Sequence, residues 1–535
     1  MKHLKKLAAL LLAVVMTMAM SMTAFADETV TATPTPTANT TTYTLTLTGT
    51  TTGHTYEAYQ IFTGDLSGTT LSNIKWGSGV KDTDNLVAAL KADATLKGTF
   101  SNVTDAASVA EALSNANKDD AVAQAFATVV SQHLSTTKDT KDSAADKTEI
   151  SGLTAGYYLV KDKDDSIDST KKDAYTRFIL EVVANTSAAV KSAVPTVEKK
   201  VKDTNDSDGT TTDWQDSADY DIGDSVPYQI TGSMPSTIAD YTTYKYIFTD
   251  KMSKGLTYTA KLATITVGGK AVTVGDKNDT GKDFTETVTA NDDGTTVTWA
   301  CTDLQAVAKA HGITLDKNTK VVVTYNATLN ENAVIGAGGN PNTVNLTYSN
   351  NPNKNGEGDT GKTPDDKNIV FTYKTVVNKV DEKNNPLNGA KFELAKKVKN
   401  AEGQFEYEAV KSPEISKDGT TFTFSGLDDG DYMLKETTTP AGYNTIAPVY
   451  FTISATHDTA ADEPTLLTLS GNKTTGDATF TSKTEDGSLT TNIVNKKGST
   501  LPSTGGIGTR MFYVFGGCLV AAAVVLLALK KRKEA

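Results

Sequence analysis

The stretch "TYTLTLTGTT" spans residues 42–51. Tyr43, Leu45 and Leu47 alternate with threonines, a period of two. Successive side chains of a strand point to opposite faces, so this is a half-buried strand. The same grammar returns in "GYYLVKD" (156–162), "RFILEVVANTS", "DSVPYQITGSM", "YKYIFTD", "KVVVTYNATL" and "NTVNLTYSN". Many short strands separated by turn residues predict an all-β chain of sandwiches. Two exceptions, "DNLVAALKADATL" (84–96) and "DAVAQAFATVVSQHL" (120–134), carry helical spacing. They predict a helical insertion in the first β domain.

A length of 535 residues allows about three domains. "SGLTAGYYLVKD" (151–162) and "SGLDDGDYMLKE" (425–436) align without a gap, so the first and third share a pattern. The polar stretch "NNPNKNGEGDTGKTPDDKN" (350–368) reads as a linker. The expected division is a leader at 1–26, a first domain at 27–190 and a middle domain at 191–350. A linker at 351–368, a third domain at 369–497 and a terminal signal at 498–535 follow.

Both ends carry targeting character. Lys2, Lys5 and Lys6 precede an apolar run, Leu7 to Met22, and the small-residue site Ala24-Phe25-Ala26. That pattern is a secretory signal peptide, with the mature chain expected to begin near Asp27. Met511 to Leu529 is nearly all apolar, the length of a membrane-spanning helix, and Lys530, Lys531, Arg532 and Lys533 follow it. Positive charge stays inside, so the body is expected outside the cell. Cys518 lies in the apolar stretch, which leaves Cys301 alone in the body and forbids a disulfide there. The net charge of −12 argues against a nucleic-acid partner.

Several motifs carry no chemistry. "GEGDTGKT" (356–363) has the phosphate-loop spacing, but its flanks are polar and Pro364 follows at once. "DTNDSDG" (203–209) puts Asp206 and Asp208 at calcium-loop positions, but Thr204 stands first and Gln215 last. His54, His133, His311 and His457 show no ligand spacing. No cofactor, no metal and no enzymatic turnover are expected.

Between the third domain and the apolar stretch stands "LPSTGG" (501–506). With the span and basic tail, it resembles the L-P-x-T-G sorting signal of Gram-positive surface proteins. Leu501, Pro502, Thr504 and Gly505 fill the fixed positions. The resemblance implies that a sortase cysteine attacks the Thr504 carbonyl, releases the tail from Gly505 and passes Thr504 to an amine. It places the protein on the cell wall, with sortase and peptidoglycan as partners.

"VVNKVDEKNNPLNGAKFEL" (376–394), "GDYMLKETTTPAGYN" (430–444) and "TNIVNKK" (491–497) resemble the first strand, the acid strand and the last strand of a CnaB-type domain. The resemblance implies a bond from Lys379 to Asn495, aided by Glu436. Strand parity agrees: Lys379 shares its face with Val377, and Asn495 with Ile493. Burial favours a neutral amine, which can attack an amide carbon.

The middle domain resembles the isopeptide-forming domain of backbone pilins. "PTVEKKV" supplies Lys199, in phase with Val197 and Val201; Lys200 competes and faces the other way. "NTVNLTYSNNP" supplies Asn342, with Asn350 as the alternative in the same phase, and Asp250 is the expected acid. The opening strand of the first domain has no lysine, so no cross-link is expected there, although Asp162 holds the Glu436-like position.

In the same family an acceptor lysine precedes the middle domain. Lys191 lies near that offset, with Ala189-Val190 in place of Tyr-Pro. These resemblances imply the shaft subunit of a covalent pilus, Thr504 of one copy joined to Lys191 of the next. Identical subunits are then partners, and a receptor on a host or neighbouring cell is a further one. Each internal bond is expected to join first and last strands along the loaded path. The rival is a monomeric wall-anchored adhesin.

Overall fold

Alternation in the strand Thr42–Thr50 places Leu45 and Leu47 in a core and leaves the intervening threonines toward solvent. The computed structural model describes residues 41–116, 120–168, 172–190, 192–354, 358–400, 402–498 and 520. The leader at 1–26, Lys191, the sorting residues Leu501, Pro502, Thr504 and Gly505, and the apolar stretch apart from Val520 lie outside the described residues. Among the described residues, no helix is long and apolar enough to cross a membrane.

The chain divides into two compact units. The first holds residues 1–204, 211–372 and 457–466; the second holds 205–210, 373–456 and 467–535. The first unit contains two groups of sheets. In the first group, Thr42–Thr50 lies between Asp146–Thr154, antiparallel, and Thr186–Ala189, parallel. A second sheet runs Thr70–Trp76, Thr55–Ser67, Gly156–Asp162, Arg177–Val182, with Asp139–Asp142 against Thr55–Ser67. Leu45, Leu47, Tyr56, Ile150, Tyr158 and Val160 fill the space between them.

The expected helical insertion is present and covers the outer face of the larger sheet. Helices Thr83–Ala92 and Asp120–Ser131 stand where the spacing put them. A further helix, Ala106–Asn115, lies between them. Its Asp105 accepts a hydrogen bond from the Ser108 amide and closes a capping box, and Val109, Ala110 and Leu113 are its buried stripe. Leu86, Phe100, Val109, Phe126 and Val130 pack on Tyr59, Phe62 and Leu159. Both faces of Gly156–Asp162 are therefore covered, and all seven of its residues are buried.

The second group is a sandwich of a six-stranded and an eight-stranded sheet. Val197–Val201 is an edge of the first and pairs with Ser225–Ser233, which pairs with Lys320–Leu329. In the second, Tyr246–Ser253 lies between Gly294–Cys301 and Asn340–Ser349. Tyr228, Tyr246, Phe248, Trp299, Tyr325 and Leu346 are among the large side chains of this core. The polar segment read as a linker at 351–368 differs from expectation. Thr360–Lys362 and Asp366–Phe371 pair with Asn340–Ser349, so this sandwich runs on to Phe371. Its polar sequence hides the strands because backbone pairing supplies their hydrogen bonds and few of their side chains need be apolar.

Arg177 links the two groups. Its guanidinium donates to the Pro352 and Asp240 carbonyls at 3.0 and 3.3 Å, and to Ser131 Oγ and Thr128 Oγ1.

The second unit is built on two five-stranded sheets. One runs Glu414–Ile415, Thr421–Leu427, Tyr373–Asp381, Ser488–Asn495, Phe480–Lys483. The other runs Phe405–Ala409, Lys391–Lys399, Gly430–Thr438, Val449–His457, Leu466–Thr475. Tyr373–Asp381 and Ser488–Asn495 are parallel neighbours, with Lys379 opposite Ile493 and Asp381 opposite Asn495.

Candidate functional site: buried lysines facing acid and amide

Strand parity sends Lys199 inward. Lys199 and Val201 are buried, while Glu198 is exposed and Lys200 half-buried. Lys199, Asp250 and Asn342 are each 0 % exposed. They arrive from different strands: Lys199 from the six-stranded sheet, Asp250 and Asn342 from adjacent antiparallel strands of the facing one. Lys199 Nζ donates to Asp250 Oδ1 at 2.6 Å and to Tyr325 Oη at 2.7 Å. Tyr325 donates its own proton to Asp250 Oδ2, and Asn342 Nδ2 donates to Tyr325 Oη at 2.9 Å. The phenol thus joins the amine, the carboxyl and the amide. Sequence reasoning missed it, because an inward tyrosine on "KVVVTYNATL" looks like ordinary core.

Burial pulls the Lys199 amine below the usual lysine range, against the attraction of Asp250. Burial also pushes Asp250 up, against its hydrogen bonds to Lys199, Tyr325 and Asn342. Both shifts drive the pair toward free amine and carboxylic acid. The Asn342 Oδ1 atom is buried and accepts no hydrogen bond among the described residues. A buried carbonyl left in that state is costly, and it is the group at which a nucleophile would arrive.

The competing assignments resolve in space. Lys200 Nζ reaches Asp216 Oδ1 at 2.6 Å, away from the cluster. Asn350 lies beside the first group of sheets, where its carbonyl accepts from Tyr175 N at 2.8 Å. Asn342 is therefore the amide at Lys199. The expectation that the lysine meets the last strand does not hold here, since Thr360–Lys362 and Asp366–Phe371 follow Asn342 in the same sheet.

The second unit repeats the chemistry with a different scaffold. Lys379 and Asn495 are 0 % exposed and Glu436 is 5 % exposed. Lysine and asparagine stand on parallel neighbours of one sheet, and Glu436 comes from the opposite sheet. Lys379 Nζ donates to the Val380 and Ile493 carbonyls at 3.0 and 2.9 Å. Asn495 Nδ2 donates to Glu436 Oε1 and Oε2 at 2.8 and 3.1 Å. Burial lowers the Lys379 amine to about 8, against the pull of Glu436 and Asp381. Asn495 Oδ1 likewise accepts no hydrogen bond among the described residues.

In the first group of sheets the Glu436-like residue has another partner. Asp162 Oδ1 meets His54 Nδ1 at 2.8 Å, and His54 Nε2 meets Asp173 Oδ2 at 3.0 Å. Burial lowers the imidazole, but hydrogen bonds to Asp162 and Asp173 outweigh it and raise it to about 10. Lys161 Nζ bonds Asp164 Oδ1 at 2.9 Å and lies 3.7 Å from Glu57.

Residues 222–352 match the family described as Gram-positive pilin backbone subunit 2, Cna-B-like domain. Residues 374–464 match a prealbumin-like fold domain, and residues 493–535 match the LPXTG cell wall anchor motif. The trypsin-resistant surface T6 protein of Streptococcus pyogenes serotype M6 is 25% identical over 407 residues, covering 65% of this chain and 70% of its own. The chain is thus similar, in its middle and its C-terminal parts, to Gram-positive backbone pilins that carry an LPXTG anchor.

These matches support a subunit of a polymerised surface pilus, and the anchor motif supports attachment to the cell wall. Two solved structures are similar to this chain. The T6 backbone pilin of serotype M6 S. pyogenes, described as modular and three-domain, is 17% identical, with TM-score 0.50 over 86% of this chain and 99% of its own. The full-length major pilin SpaD of Corynebacterium diphtheriae is 18% identical, with TM-score 0.43 over 87% and 99%. The buried clusters rest on the distances above, independently of these likenesses.

Proposed function

We propose that this pilin is welded internally by Lys199–Asn342 and Lys379–Asn495 amide bonds and joined end to end from Thr504 to Lys191 of the next subunit. The lysine nitrogen attacks the asparagine Cγ; a C–N bond forms, the original C–NH₂ bond breaks, and ammonia leaves. Asp250 in the middle domain and Glu436 in the third carry the proton from the attacking amine to the departing one. Tyr325 extends that relay in the middle domain. No oxidant or metal enters the balance, and each site acts once.

The observation that supports this reading is the pairing, in both domains, of a fully buried low-pKa amine with a buried asparagine whose carbonyl oxygen is bare. A fixed near-attack arrangement of this kind supplies much of the barrier reduction. Sortase provides the intermolecular step, acting between Thr504 and Gly505. The rest of the reading is a three-domain shaft, with the first domain outside the path from Lys191 to Thr504.

Intact mass tests the internal bonds: the mature chain is expected to be lighter than its sequence by two molecules of ammonia. An unmodified mass removes both. Lys191→Ala tests the polymer: loss of SDS-resistant high-mass ladders is expected, and unchanged ladders return the protein to the monomeric adhesin.

A further inference from the structure

A histidine and two aspartates converge in the first unit, apart from both bond-forming clusters. Asp203 follows the strand Val197–Val201, Asp219 ends Ser217–Asp219, and His457 opens the 457–466 segment. One ligating atom from each lies within 4.8 Å of the others. His457 Nε2 is 3.6 Å from Asp203 Oδ2 and 3.6 Å from Asp219 Oδ1.

That spacing is informative. A charge-assisted hydrogen bond from an imidazolium would be about 2.7–2.9 Å. Donors around a tetrahedral zinc at about 2.0–2.2 Å stand roughly 3.4 Å apart. The two aspartates therefore stand off His457 by nearly the span of a chelate and too far for a bound proton to bridge.

The far side of the ring is also built. His457 Nδ1 is 2.6 Å from Ser217 Oγ, and that hydroxyl donates to the Asp458 carbonyl at 2.5 Å. With its proton so placed, Oγ accepts from Nδ1–H, and Nε2 is the ring atom that faces the carboxylates. Metal-ligating histidines are oriented by such a second bond. Phe371 packs beside the ring at 5.7 Å. Asp219 is 3 % exposed, and its Oδ2 has no hydrogen-bond partner among the described residues. A buried carboxylate oxygen in that state calls for a cation.

We propose that Asp203, Asp219 and His457 bind one divalent transition metal of the zinc class, with water as fourth ligand. An imidazole with two carboxylates suits zinc better than calcium or magnesium, which take oxygen shells. Because the ligands come from distant parts of the chain, the ion would pin the 457–466 segment to the chain at Asp203 and to the strand Ser217–Asp219.

The test uses the full chain, purified in detergent and stripped with EDTA, titrated with zinc chloride alone. One equivalent is expected, with X-ray absorption giving one nitrogen and two or three oxygens at about 2.0–2.2 Å. Ser217→Ala, which removes only the support for the ring, is expected to weaken affinity roughly 10–100-fold. His457→Gln and Asp219→Asn are expected to abolish saturable binding, and His54→Gln to leave it unchanged. No saturable zinc in the parent chain, which would make the cluster an ion triad only, overturns the proposal. So does binding of equal affinity in His457→Gln, or a sulfur- or nitrogen-rich shell in the absorption spectrum.

Discussion

Asp250→Asn removes the acid from the middle-domain cluster while keeping its shape. The expected outcome is a folded chain in which Lys199 and Asn342 stay unjoined. The bond closes a loop of roughly 140 residues, and loop-closure entropy puts its contribution at about 5 kcal/mol. In a domain of this size each kcal/mol moves the melting midpoint by about 2–4 °C. The variant's middle-domain transition is then expected about 10–20 °C below the parent's. Leaving Lys199 in a fully buried site beside a neutral amide adds to the loss, so the sign is secure. Intact mass read before calorimetry separates the causes, because the variant must retain one ammonia that the parent has lost. Lys200→Met, whose side chain points to Asp216, is the control and is expected to keep the bond. A variant that still loses the ammonia, or that melts with the parent, refutes the reasoning.

Tyr325→Phe deletes the phenol shared by amine, carboxyl and amide, and is expected to slow Lys199–Asn342 bond formation about 100-fold while the domain still folds; a refolding time course by mass reads it. Formation of Lys379–Asn495 needs the neutral amine, whose pKa is about 8, so its rate is expected to rise about tenfold per pH unit up to that value and then level. His54 has a folded pKa raised to about 10 above the ordinary 6.5. Its stabilisation of the first sheets is full below pH 6.5 and lost as pH climbs through 10; thermal scans should show the decline, and His54→Gln should flatten it. Glu436→Gln is expected to leave Lys379 accessible to acylation after unfolding, while the parent lysine stays blocked.

Parity made much of this legible. Lys199, Lys379, Asn342 and Asn495 could be placed inside because a strand's period is local and each lies in phase with named apolar neighbours. Choosing Asn342 over Asn350 needed space, since both share that phase and only one lies near Tyr325. Tyr325 itself carried no mark, because a buried phenol and a working phenol have the same sequence signature. The helix Ala106–Asn115 is written mostly in alanine and serine, which dilutes its stripe. The strands at 360–371 hid in polar residues because their partner is Asn340–Ser349, and pairing is not a property of the segment alone. The cluster of Asp203, Asp219 and His457 was invisible for the same reason: its members share no spacing, only a place.

The return of residues 360–371 onto the strand that carries Asn342 has a mechanical corollary. Asn342 stands opposite Asn368 in that pairing, so the chain leaves the middle domain beside the proposed weld but some thirty residues further along. With Lys199 fixed to Asn342, a pull on the ends cannot lengthen anything between them. It can still strip the tail that follows, and about thirty residues at 3.3–3.6 Å apiece would pay out roughly 100 Å of slack. A rod made of such subunits would be stiff at small loads and yield in short, recoverable steps at larger ones, absorbing shock without parting a single covalent joint.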